Sequence, residues 1–185
     1  MDEHASAVAA AAGAIDISFN LISLGDVHGT PLAEMALEDF ERPIRNAMRT
    51  QSLTTRAAAR HMIRHGSGVL MFFGGDGANQ PIRDYKIGGF QIALNVVEAL
   101  RRQLAQELGR YGIRAVSLHS GGIPETIPEG FEGRDAIVDG IVGQTMLGRA
   151  ATFEDVGDVA AFAASDRARS MTATAFNITC GAVAD

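Results

Sequence analysis

Between residues 84 and 118 the chain carries one long apolar helix pattern that runs through a tight glycine turn into a short apolar run. Ile92, Ala93, Val96, Val97, Leu100, Leu104 and Leu108 recur at three- and four-residue spacing, and Gly109 and Gly112 punctuate the end. The run that follows, residues 113–118, is short enough to be a buried strand. The same alternation recurs along the whole sequence. Residues 2–12 read as an alanine-rich helix closed by Gly13, and residues 14–22 as a strand buried on both faces. Residues 25–31 are a loop. Residues 37–65 carry Phe40, Ile44, Met48, Ala58, Met62 and Ile63 as a second long helix, whose regular part is expected to begin near Pro43.

Gly66, Ser67 and Gly68 turn into the apolar run 69–73, which reads as a central strand ended by Gly74, Gly75, Asp76 and Gly77. Beyond residue 118 the pattern loosens. Residues 119–133, with Pro124 and Pro128, are irregular, and residues 135–144 form a weak helix. Thr152 to Asp155 resembles a capping box whose glutamate falls one position early, opening a helix with Val156, Val159, Ala160, Phe162 and Ala163. Residues 174–179 make a last strand. Strands that are continuous apolar runs, alternating with helices, predict an α/β fold: a parallel sheet with helices on both faces, in one domain over 1–185.

Composition narrows the function. An apolar content of 46% in 185 residues suffices for a real core, while a net charge of −6 and a pI near 5.3 argue against nucleic acid or an anionic membrane as partner. The single cysteine, Cys180, cannot form an internal disulfide, so a reducing cytoplasm is the expected location. The apolar stretch 5–15 follows acidic residues rather than basic ones and reads as a helix, not a signal peptide. No apolar stretch reaches the roughly 18 residues a membrane span needs.

Three segments carry a family likeness. Ala14-Ile15-Asp16-Ile17-Ser18-Phe19-Asn20 resembles the fourth strand of the short-chain dehydrogenase/reductases. Residues 104–114 are similar to that family's catalytic helix and sixth strand. Leu147-Gly148-Arg149 with Glu154-Asp155-Val156, residues 161–166, and Phe176-Asn177-Ile178 before Gly181 resemble its C-terminal part. The resemblance implies a Rossmann-type sheet and a hydride exchanged between NAD or NADP and a carbonyl or alcohol. Such chemistry uses a phenol to trade a proton with the substrate oxygen and a lysine to lower the phenol's pKa. A serine orients the substrate, and a helix asparagine supports a water relay.

The same alignment places none of these groups. The Tyr-x-x-x-Lys pair falls on Phe90 and Leu94, the serine pair on Gly74 and Gly75, and the helix asparagine on Ala47 with Asn46 beside it. Of the family's Asn-Asn-Ala-Gly turn only Asn20 remains. The first three strands and the glycine-rich dinucleotide segment have no counterpart, so binding of NAD or NADP is expected to be weak or absent. Residues 15–22 would then lie at an open sheet edge, shielded by a partner copy or, the favoured expectation, by an earlier part of a longer protein. The expectation is a divergent member of the family without standard hydride transfer; the alternative is a non-catalytic binding or assembly subunit.

Weaker candidates remain. Tyr85 and Asp76 are possible substitutes for the missing proton groups, and Lys86 adjoins Tyr85 but points elsewhere. Gly121, Gly122 and Ile123 stand where the family's turn meets the nicotinamide end of the cofactor, with Ser120 in place of its proline. His119, expected just past a strand, could line a pocket at the carboxyl edge. His61 and His65 share a helix face but lack a third ligand, so no metal site is expected. Apolar residues on more than one face of the helices at about 37–65 and 86–108 predict a homodimer or homotetramer through them.

Overall fold

The computed structural model describes residues 1–74 and 86–184. Four parallel strands form one sheet in the order β1-β2-β3-β4, with β1 Ile17–Asn20, β2 Gly68–Gly74, β3 Ile113–His119 and β4 Thr174–Asn177. Helix α1 (Asp2–Ala12) precedes β1, and α2 (Leu37–His65) and α3 (Phe90–Leu108) flank β2 in sequence. Helices α4 (Arg134–Gly143) and α5 (Phe153–Ala164) lie between β3 and β4.

Strand periodicity sorts the side chains into two layers. Leu70, Phe72, Ile113 and Ala115 face α2 and α3, joining Ala58, Met62, Leu94, Val97 and Leu108 in one core. Val69, Met71, Val116 and Leu118 face the other way, onto Ala163, Val156 and Val159 of α5. Helices thus cover both faces, as the unbroken apolar strands require. Burial of side chains such as Phe72 and Leu70, both fully enclosed, stabilises each layer by about 1.5–3 kcal/mol per residue.

Local chemistry sets the boundaries. Gly13, Gly66 and Gly112 take left-handed conformations at the ends of α1, α2 and the turn after α3. At Gly112 a side chain would also strike the Gly66 carbonyl, so the two turns that feed β2 and β3 pack closely together. Helix α2 begins at Leu37 rather than near Pro43. Pro43 lies inside it, costing one backbone bond, and its buried ring packs where Gly89 brings the start of α3 against the Phe40 carbonyl. At α5 the capping box is complete. Thr152 Oγ1 accepts from the Asp155 amide at 3.1 Å, and Asp155 Oδ2 accepts from the Thr152 amide at 3.0 Å. The acidic partner is therefore Asp155, not the early glutamate.

All four strands differ in their limits from the sequence reading, and β2 takes in Gly68 and Gly74 at its ends. β1 is four residues long instead of nine, because only β2 pairs with it among the described residues and that register spans Ile17 to Asn20. Ile17 is 49% exposed, and Leu21, just past the strand, 63%. β4 stops at Asn177. β3 extends to His119, which is thus a strand residue in register with Gly74 and Asn177 rather than a loop residue. No described helix is long and apolar enough to cross a membrane.

Candidate functional site

In open parallel sheets ligands bind outside the carboxyl ends of the strands. Here that edge is made by Asn20, Gly74 and His119, with the first turns of α3 above them. Phe90, Leu94, Glu98 and Arg101 follow at intervals of four, four and three, which keeps them within one face of the helix. The first two are apolar: Phe90 is half-buried and Leu94 is buried against the core. Neither can exchange a proton or carry charge.

The next turn is charged although it is buried. Glu98 and Arg101 keep only 8% and 5% of their side chains exposed, and Arg101 donates to Glu98 Oε2 from Nε at 3.0 Å and Nη2 at 2.7 Å. The other carboxylate oxygen, Oε1, meets His119 Nε2 at 3.1 Å, so helix and strand are joined through one carboxylate. Burial alone would raise the Glu98 pKa. Hydrogen bonding from His119, the nearby Ser117 hydroxyl and Arg101, together with the Arg101 charge, outweighs it and holds the group down to about 2. Ser117 faces Glu98 without completing a well-formed hydrogen bond, and Arg101 Nη1 is likewise buried without a partner. Gly74 accommodates the imidazole: a side chain there would stand 3.2 Å from His119 Cδ2.

A second carboxylate–histidine contact lies at the front of the helix. Asp26 Oδ2 and His28 Nε2 are 2.5 Å apart, and the His28 ring packs on Phe90 with centroids separated by 5.8 Å. The loop that carries them is tied down by Gly29 N donating to Lys86 O and by Asn46 Nδ2 donating to Leu24 O. Sequence reasoning missed Asp26, His28, Glu98 and Arg101. A glutamate and an arginine on the apolar stripe of α3 were the available sign of the second pair; nothing local signals the first.

The residues singled out from sequence fall as follows. Ala47 is fully enclosed, and Asn46 serves the loop after β1. Asn20 is buried, donating from Nδ2 to Thr54 Oγ1 and accepting from the Ile22 amide, so it fixes α2 and the strand exit. Gly121 has φ +62° and packs near Thr179, while the space beside Gly122 is filled by Ile141, and Ile123 is buried. Lys86 is exposed. Gly75, Asp76 and Tyr85 lie outside the described residues. No group of three or more metal-ligating side chains occurs among the described residues, and His61 instead meets Arg64 Nη2 at 2.9 Å.

A dinucleotide's pyrophosphate needs a glycine turn delivering a strand into a helix N-terminus. Among the described residues Gly88 and Gly89 open α3, but Gly89 is pressed against the Phe40 carbonyl. The remaining strand-to-helix connections, before α2 and α4, are long. Among the described residues no glycine turn of that kind is seen.

Residues 1–182 match the family model described as enoyl-(acyl carrier protein) reductase. The chain is 31% identical over 133 residues to the enoyl-[acyl-carrier-protein] reductase [NADH] of Bacillus cereus, covering 70% of this chain and 50% of that protein. It is 28% identical over 172 residues to a short-chain type dehydrogenase/reductase of Picea abies, covering 92% and 62%. The chain thus spans about half to three-fifths of these relatives' length. Among solved structures, a gluconate 5-dehydrogenase from Burkholderia cenocepacia in complex with NADP and tartrate superposes with a TM-score of 0.87 at 22% identity, over 98% of this chain and 69% of that one. That likeness concerns the fold.

Proposed function

The chain belongs to the short-chain dehydrogenase/reductase family, and from that premise we propose that it is an oxidoreductase-type scaffold that has lost the family's standard hydride transfer. Supporting this reading is the apolar front of α3: alignment to the family puts its phenol and lysine positions at Phe90 and Leu94, which pack in the core facing α2. Phenylalanine offers no proton to a substrate oxygen, and leucine offers no charge to tune one. NAD or NADP is the cofactor the family implies, and weak or absent binding by this chain is part of the proposal. A fluorescence titration with NADH and NADPH tests it: no saturable binding in the micromolar range is expected, and micromolar affinity would contradict it. Grafting Phe90→Tyr with Leu94→Lys is expected to give no reductase activity on a carbonyl panel, because the dinucleotide site stays incomplete; a clear gain would show that site to be intact.

A second reading, an assembly subunit, is favoured by apolar side chains left open on the two long helices. Met48 and Ile63 of α2 are 52% and 37% exposed and Ile92 of α3 is 43% exposed. This surface supports a homodimer or homotetramer through α2 and α3 in the cytoplasm. Light scattering after size exclusion is expected to give twice or more the 19.5 kDa chain mass; a monomer would remove this reading.

A further inference from the structure

We propose that His119, held by Glu98, is a general base for a hydroxyl-bearing small molecule at the carboxyl edge of the sheet. The inference rests on the preceding reading, since an intact phenol and lysine would already handle that proton. It begins from the position of the imidazole. His119 ends β3, in register with Gly74 at the end of β2, and lies across the space that the glycine leaves empty.

The charges around the ring decide which nitrogen is basic. Glu98 and Arg101 face it from α3 and Ser117 from its own strand, while Gly74 of β2 and Asn177 of β4 bring no charge. Arg101 already grips Oε2 with two donors, which leaves Oε1 for the ring. An ionised carboxylate only accepts hydrogen bonds, so the hydrogen must sit on Nε2. The neutral ring then has its lone pair on Nδ1, and no described side chain bonds to that atom. This is the arrangement of a base oriented by a buried acid. The step is redox-neutral: the hydroxyl proton moves to Nδ1, the oxygen keeps the bonding pair, and the imidazolium is stabilised by Glu98.

The His119 side chain is not sealed in: 15% of it is exposed. The test reads that nitrogen on the unmodified 185-residue chain. Long-range proton–nitrogen NMR is expected to find His119 in the Nε2–H tautomer; the Nδ1–H tautomer would overturn the proposal. Diethyl pyrocarbonate, mapped by peptide mass, is expected to modify His119 as well as exposed His65. An unmodified His119 beside a modified His65 would overturn it too. Glu98→Gln is expected to lose the single Nε2–H tautomer in the same proton–nitrogen measurement, because an amide can donate as well as accept; an unchanged tautomer would remove Glu98 as the positioning residue. Loss of the preceding reading would appear as nicotinamide binding or oxidation, which none of these measurements reads.

Discussion

Replacing Glu98 by alanine should be among the most damaging single changes in this fold. The Arg101 head is buried, and both of its bonded nitrogens depend on Glu98 Oε2. Its third nitrogen, Nη1, has no partner already. Removing the carboxylate therefore strands a full positive charge between α3 and the sheet and frees His119 as well. Breaking one side of a buried ion pair costs about 3–5 kcal/mol. At about 2–4 °C per kcal/mol for a chain of this size, Tm falls by about 6–20 °C. Urea unfolding followed by circular dichroism measures the loss. The double substitution Glu98→Leu with Arg101→Met removes both charges and should recover most of it, to within about 1 kcal/mol of the parent. A loss below about 1 kcal/mol for Glu98→Ala, or a double variant as weak as the single one, would refute the reasoning.

Three further outcomes follow from the same contacts. The Glu98 pKa lies at about 2 in the fold against 4.5 ordinarily, so its stabilisation is complete above pH 4.5 and lost as pH falls towards 2. Glu98→Gln should flatten the stability profile in that acid window, as followed by urea midpoints across pH. Gly74→Ala puts a methyl 3.2 Å from His119 Cδ2 and is expected to cost about 1–3 kcal/mol, largely restored when combined with His119→Ala; denaturant titration of the two variants reads this. Thr152→Ala opens the capping box of α5 and should cost about 1 kcal/mol, seen as a Tm lower by about 2–4 °C in calorimetry.

The long elements were legible because their signals are local. Helix α1 has the limits that spacing and its glycine stop indicate, α3 ends at Leu108 as its spacing does but begins at Phe90 rather than near 86, and Gly13 and Gly66 close their helices in the left-handed conformation. Pro43 misled the start of α2 because the benefit that keeps it helical is tertiary, a proline ring packed at the crossing with Gly89. The apolar length of residues 14–22 could not reveal that only four of them have ladder partners, since pairing depends on a strand some 50 residues later. The candidate site was half legible. The apolar character of Phe90 and Leu94 is readable from sequence, whereas Glu98 and Arg101 are polar residues on an apolar stripe, which a count of apolar positions passes over. His28 meets Phe90 across 62 positions of chain, and no short-range pattern encodes that contact.

The apolar front of α3 carries the functional account, and nicotinamide oxidation tests it most directly. The 185-residue chain would be incubated with NADH or NADPH and a panel of small aldehydes, ketones and enoyl thioesters, and absorbance loss followed. With Phe90 and Leu94 in place, no oxidation above the enzyme-free rate is expected. Steady turnover of about 1 s⁻¹ or more, well within the range of ordinary enzymes, would contradict the account.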